Sequence, residues 1–336
     1  MENYGIPSIP AQMDALGGYL ALEVAREGPL THPGAHAFQS GRGAFLALLE
    51  VVKPAKVWLP WYLCDSMSEP LEQAGVKSQR YRLAPDFSIG AQIDLGPRDL
   101  LLSVNYFGLM DRGQQKVLTQ YPVSQVVIDN SQALYSPALR GLASIYSPRK
   151  FLGVPDGGYL VAAGVNIPGY REDSGSLARS RHLLERIGCG AEAGYAAFTK
   201  AEASLSGLPP QRMSTLTQRL LASADHPAVQ RKRRRNFAFL QERLGHHNLL
   251  QWTLEAKAVP LCYPFLPRRT GVRAALLQAR IYTAAYWPEL LDPAREMPQT
   301  ERGWSSELLA LPLDQRYEPD YLERWMVLPL LSLLKS

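Results

Sequence analysis

Two hydrophobic periods take turns along the first half of the chain. Phe45, Leu48, Leu49 and Val52 recur at the spacing of one helix face. Short runs at 56–60, 79–83, 99–104, 126–128 and 144–147 have the length of strands, and Leu100-Leu101-Leu102 and Val126-Val127-Ile128 are apolar at every position. A strand of that kind is wet on neither face, the condition of a parallel sheet covered by helices on both sides. Residues 157–165 return as a hairpin or antiparallel strand. The expected fold class is α/β, a three-layer sandwich around a mostly parallel sheet.

Residues 1–30 read as a leader, with Pro7 and Pro10 in an extended start and a helical pattern over 13–25. Ser40-Gly41-Arg42-Gly43 breaks the chain and opens the helix that bears Phe45. A further helix fits 66–74, helices with loops fill 175–225, and a long basic helix fits 228–244. Beyond 259 short strands and turns take over, including 309–313, with helices at 271–279 and 318–328. A boundary in the helical stretch near 223 divides the chain into a large domain, residues 1–222, and a smaller C-terminal α+β domain, residues 223–336.

With 336 residues, 46% hydrophobic and 20% charged, the chain has material for one large core and a smaller second one, and disorder is not indicated. The formal net charge of +5 stems largely from Arg231-Lys232-Arg233-Arg234-Arg235. Without interleaved aromatics that run reads as a solvated helix face sooner than as a nucleic-acid grip, so no nucleic-acid partner is expected. Cys64, Cys189 and Cys262 are odd in number and widely spaced, which points to a reducing compartment and no disulfide framework. The histidines at 32, 36, 182, 226, 246 and 247 form no zinc pattern, and no metal is expected. Glu2 stands where a signal peptide is basic, and the apolar tail 325–334, cut by Pro329, is too short to span a bilayer. A cytoplasmic protein without a membrane partner is the expectation.

Candidate chemistry gathers at the ends of the expected strands, where open α/β sheets build their sites. Lys150 stands in a turn after a short apolar run, with Pro148 before it and Asp156-Gly157-Gly158 after it. A lysine so placed is either a solvated charge or a partly desolvated amine able to form a Schiff base. Asp129 follows Val126-Val127-Ile128 directly, so its carboxylate sits where water is scarce and needs a cationic or N–H partner. The Gly41-Arg42-Gly43 turn is either a plain helix cap or a cradle whose backbone N–H groups hold a phosphate. Trp61, Tyr62 and Cys64 follow Pro60 past a strand end, where aromatics pack a core or grip a flat cofactor.

In that order the glycine turn, the aromatics, the strand-end Asp129 and the Ser147-x-x-Lys150 turn resemble the fold-type I pyridoxal-phosphate enzymes. The closest likeness is to the nucleotide-sugar aminotransferases of the DegT/DnrJ/StrS type, and it runs from Ser40 to the last helix. Val127-Ile128-Asp129-Asn130-Ser131-Gln132-Ala133 is similar to that family's aspartate segment. The likeness implies that Asp129 holds the pyridine nitrogen protonated and that Gln132 touches the phenolic oxygen. Lys150, with Asp156-Gly157-Gly158, is similar to the family's lysine and its glycine turn, which implies that Lys150 carries pyridoxal 5'-phosphate as a Schiff base. Phosphate contacts are implied for Gly41, Arg42, Gly43 and Ser147, and ring stacking for Tyr62 or for Cys64, which aligns with the family's aromatic. Arg212-Met213-Ser214 is similar to the family's Asn-x-Arg-Met-Ser segment, with Pro210 at the asparagine position. Residues 282–288 and 311–317 resemble its C-terminal signatures.

The resemblance implies a homodimeric aminotransferase of sugar biosynthesis. An amino acid, glutamate by analogy, would be the donor, and a nucleotide-linked keto-sugar or similar small carbonyl compound the acceptor, with residues 231–235 gripping its diphosphate. A lyase or dehydratase on the same fold, and a non-catalytic ligand-binding member, stay open as alternatives at this level.

Overall fold

In the computed structural model of the chain, residues 18–29 and 31–335 are described. The seven strands of the main sheet are β1 (His36–Phe38), β2 (Lys56–Pro60), β3 (Lys77–Tyr81), β4 (Asp99–Val104), β5 (Val126–Asn130), β6 (Ala143–Tyr146) and β7 (Gly158–Val161), in spatial order β1-β7-β6-β5-β4-β2-β3. Strands β2 to β6 run parallel, and β7 returns antiparallel to both β6 and β1. Central β4 and β5 are buried at every residue, as strands covered on both faces must be. Edge strand β3 reads Lys-Ser-Gln-Arg-Tyr with its first three residues exposed, a polar margin that discourages pairing with a foreign strand.

The sheet is covered by α1 (Gly41–Val52), α2 (Glu69–Gln73) and α3 (Asp111–Gln120). Ser40 starts α1: its Oγ accepts from Gly43 N at 3.0 Å, and the helix buries Phe45, Leu48 and Leu49. A helical excursion of α4 (Ser176–Arg179), α5 (Arg181–Cys189) and α6 (Tyr195–Ala203) follows β7, and then α7 (Thr215–Ala222) and α8 (His226–Leu244). The C-terminal part holds α9 (Val272–Gln278), α10 (Gln299–Glu307), and an antiparallel pair of β8 (Tyr263–Phe265) with β9 (Leu309–Leu311). Helix α11 (Pro319–Leu322) then runs through one wider turn into α12 (Leu328–Lys335). One apolar cluster joins sheet residues such as Leu101 and Ile128 to Phe237, Tyr263, Trp304 and Leu330, so the core is continuous across the chain. Among the described residues no helix is long and apolar enough to cross a membrane.

Two expectations are corrected. The proline-led start and residues 13–17 of the expected 13–25 helix lie outside the described residues, but 18–25, the larger part of it, are extended and bent, with Tyr19 and Leu20 almost wholly exposed. Gly18, at φ +89°, stands in a backbone conformation that ends a helix instead of continuing it. The basic run 231–235 is a solvated face only in part. Five consecutive helical residues point in five directions at 100° steps, and Arg233 points inward, 2% exposed, while Arg231 points to water.

Candidate active site at the carboxyl edge of the sheet

Parallel register sets Asp129 beside Ile145 and Asn130 beside Tyr146. Alternation of strand side chains then sends Asp129 and Ile145 to one face and Asn130 and Tyr146 to the other. The first turn of α1 lies on the Asp129 face: a Cβ on Gly41 would stand 3.5 Å from Ser131 Oγ and 3.7 Å from Ile145 Cγ2. Asp129 is 4% exposed; its Oδ1 accepts from Ser131 N at 2.8 Å, and among the described residues nothing donates to its Oδ2. A buried carboxylate with one oxygen unused retains the demand for an N–H or cationic partner that its position at the end of β5 imposes.

Around the start of α1 the polar groups are of the opposite kind. Ser40 spends its hydroxyl on Gly43 N and its carbonyl on Ala44 N (3.0 Å), which leaves the Arg42 N–H without an acceptor among the described residues. Ser131 stands two residues past Asp129, and Ser147 two past its register partner Ile145; both are nearly buried, and neither hydroxyl has a hydrogen bond among the described residues. Spare hydroxyls and a spare backbone N–H at the positive end of a helix form an anion cradle. Its backbone is locked from behind. A Cβ on Gly158 would lie 2.3 Å from the Ser40 carbonyl, so the second glycine of Asp156-Gly157-Gly158 lets α1 seat against β7. Gly157, at φ +132°, takes a conformation closed to other residues, and Asp156 accepts from Ser214 N (2.8 Å), Ser214 Oγ (2.9 Å) and Thr217 Oγ1, tying the turn to α7.

Lys150 closes the turn that follows β6. Its neighbours are fixed: Arg149 pairs with Glu202, and the Phe151 carbonyl accepts from Gln315 Nε2 at 2.9 Å and from Arg233 Nη2 at 3.3 Å. The Lys150 ammonium is exposed and makes no hydrogen bond or ion pair among the described residues. Arg233 also donates to the Leu261 carbonyl (2.9 Å) and stacks over the Phe151 ring at 4.6 Å, and burial lowers its pKa. A guanidinium so engaged has no face left for a diphosphate, which removes Arg233 from the acceptor's expected grip.

The other expected residues divide. Gly43 is packed on Gln39, whose side chain lies 2.7 Å from where a Cβ would stand. Gln132, 2% exposed, accepts from Phe107 N at 2.8 Å through Oε1, so its Nε2 remains the end able to donate. Arg42 contributes backbone alone: its guanidinium turns to Glu69 at 2.7 Å. Cys64 lines a cavity of about 700 Å³ with Arg42, Trp61, Arg80 and Arg295. Tyr62 has no exposed surface and is enclosed by Trp287, Trp304, Phe87 and Tyr106, with the Trp287 ring edge-on at 4.5 Å. Burial raises its hydroxyl pKa, and its ring packs the core. Sequence reasoning passed over Ser131, although its place two residues beyond Asp129 on a parallel strand was the available signal. Ser214 as the anchor of Asp156, and Arg233 and Gln315 as the brace of Phe151, had no local signal at all.

No protein-family model and no curated protein sequence matches the chain. Solved structures do match along most of its length. A DegT DnrJ EryC1 StrS aminotransferase from Brucella abortus is 14% identical over 90% of this chain and 86% of its own, with a TM-score of 0.62. The fold is that of the DegT/DnrJ/EryC1/StrS-type aminotransferases. NtdA of Bacillus subtilis, solved with bound cofactor PMP, is 15% identical over 90% of this chain and 73% of its own, with a TM-score of 0.62. DesI, solved in the presence of its TDP-sugar product, is 20% identical over 89% of this chain and 80% of its own, with a TM-score of 0.59. At such identities the likeness speaks for the fold, and the chemistry rests on this chain's own residues.

Proposed function

We propose that the chain is a pyridoxal-phosphate-dependent aminotransferase that moves an amino group from an amino acid to a keto-sugar or similar small carbonyl acceptor. The observation that carries this reading is the grouping, at one sheet edge, of a buried acceptor, an anion cradle and a free lysine. Each has an unused valence, and together they match the three ends of one molecule: Asp129 Oδ2 the ring nitrogen, the α1 turn with Ser131 and Ser147 the phosphate, and Lys150 the aldehyde carbon. The fold, the PMP of NtdA and the TDP-sugar product of DesI point the same way.

When bound, the cofactor supplies an electron sink for negative charge at the α-carbon of an amino acid. Asp129, with its Oδ2 short of a partner, would hold the proton on the ring nitrogen that keeps the sink cationic. Gln132 would donate from Nε2 to the phenolic oxygen. Ser131, Ser147 and the Arg42 N–H would take phosphate oxygens at the helix N-terminus, where the dipole favours an anion. Lys150 Nζ would hold the cofactor covalently and would be the base placed to take the α-carbon proton of a bound amino acid. The acceptor would enter by the cavity of about 700 Å³ that reaches Trp61, Cys64 and Arg42, a volume in the range of metabolite sites.

Lys150→Ala is expected to lose turnover by at least about 100-fold, the scale of a general base. It should also lose the borohydride-fixed cofactor on the Lys150 peptide that the unaltered protein retains. A Lys150→Ala protein with full turnover would end this reading. Addition of L-glutamate should convert the cofactor to its amine form; failure of every amino donor to do so would leave cofactor binding intact and exclude transamination.

A further inference from the structure

Behind the sheet, on the face to which Asn130 points, lies a second cavity of about 250 Å³ between α3, residues 137–139 and the turn 255–257. We propose that it binds a small zwitterion carrying a primary ammonium and a carboxylate, a free α-amino acid, at a place separate from Lys150. The separation follows from strand alternation: Asp129 faces α1, whereas Asn130, which lines this cavity, faces the opposite side of the same sheet.

Among the described residues, the inner end of the cavity offers two unused acceptors beside one unused amide donor, the Nδ2 of Asn130, whose Oδ1 accepts from Asn105 at 2.9 Å. Gln114, 4% exposed, donates Nε2 to the Val104 carbonyl at 2.9 Å, which fixes its amide one way round, and its buried Oε1 has no partner. Asp111 adds a charged acceptor beside it. Asn105 takes Met110 N on its Oδ1 (2.9 Å), so its Nδ2 faces Asp111 Oδ1 (2.7 Å), and Asp111 Oδ2 is left over. The two spare acceptors, Gln114 Oε1 and the Asp111 carboxylate, match an ammonium group, and the spare Asn130 Nδ2 can serve a carboxylate oxygen.

The outer rim has the opposite character. Lys257 is exposed and has no ion pair among the described residues, while Arg112 lies 3.7 Å from Glu255. Lining charges of Asp111 and Glu255 against Arg112 and Lys257 cancel, so the cavity favours neither a bare cation nor a bare anion. Its volume lies below the span of sites for nucleotide-sized ligands and suits a compact metabolite. The rim is also a built feature: Arg234 Nη1 donates to the carbonyls of Glu255 (2.9 Å) and Ala258, fastening the turn that presents Lys257. Part of the basic run thus has its purpose here.

The test is titration calorimetry on full-length protein that has been treated with pyridoxal phosphate and borohydride, which closes the Lys150 site to amines. L-Glutamate, L-alanine, methylamine and acetate serve as probes. One amino acid should bind per chain, at least tenfold more tightly than methylamine or acetate. Asp111→Asn, which keeps an oxygen for Asn105, and Lys257→Ala, a surface change, should each weaken binding at least tenfold. Absence of heat from both amino acids would make the cavity a hydrated space and overturn the proposal. So would methylamine binding as tightly as the amino acids, or affinity unmoved by both substitutions. None of these outcomes depends on whether the chain transaminates.

Discussion

Asp156 carries the main pH consequence at the scale of single residues. Three donors surround its carboxylate, yet burial dominates and pushes its pKa up to about 6. The folded-state value lies above the ordinary unfolded value of roughly 3.9. Between about pH 4 and 6 the folded state therefore binds more protons than the unfolded one, and this group's contribution to stability falls as pH rises through that window. Asp156→Asn cannot titrate, and its amide N–H would face the Ser214 N–H, so it should cost about 1–3 kcal/mol at neutral pH. Urea midpoints at several pH values should show the gap between unaltered protein and variant widening as pH falls from 6 to 4. A gap that stays constant or narrows would refute the assignment. The same residue marks the limit of local reading: the sequence shows an aspartate in a glycine turn, but its partners Ser214 and Thr217 lie some sixty positions away.

At the scale of elements, α8 departs furthest from what its sequence implies. A run of five basic residues reads as one charged face, but helical geometry spreads them round the axis and the core takes whichever points inward. Arg233 was the one placed to reach the carbonyls of Phe151 and Leu261, and Asn236, one turn on, donates to the Leu313 and Tyr317 carbonyls at 3.0 and 2.9 Å. Arg233→Ala should then lower stability by about 2–4 kcal/mol, since it leaves buried carbonyls unpaired. Arg231→Ala, at the exposed position, should change stability by less than about 0.5 kcal/mol. Denaturant midpoints for the two variants decide this, and equal losses would show that Arg233 is no brace. Strands β4 and β5 were legible because each carries three consecutive apolar residues between turn signals, as a strand covered on both faces requires.

For the whole molecule, the exposure of Lys150 bears on assembly. A catalytic amine functions in a partly desolvated pocket, and in the single 37.3 kDa chain Lys150 stands open to solvent. We propose that a second copy covers this edge; light scattering should give twice the chain mass, and a monomer that retained full turnover would refute it. The sequence by itself determined the order of elements, the buried parallel strands, and the strand-end places of Asp129 and Lys150, because hydrophobic period and strand ends are written in neighbouring residues. Tertiary structure alone decided that Tyr62 packs the core, that Arg42 turns to Glu69, and that Arg233 and Gln315 hold the Phe151 carbonyl. Those outcomes depend on which distant group offers an unpaired donor, acceptor or ring at the right distance, and chain proximity carries no information about that.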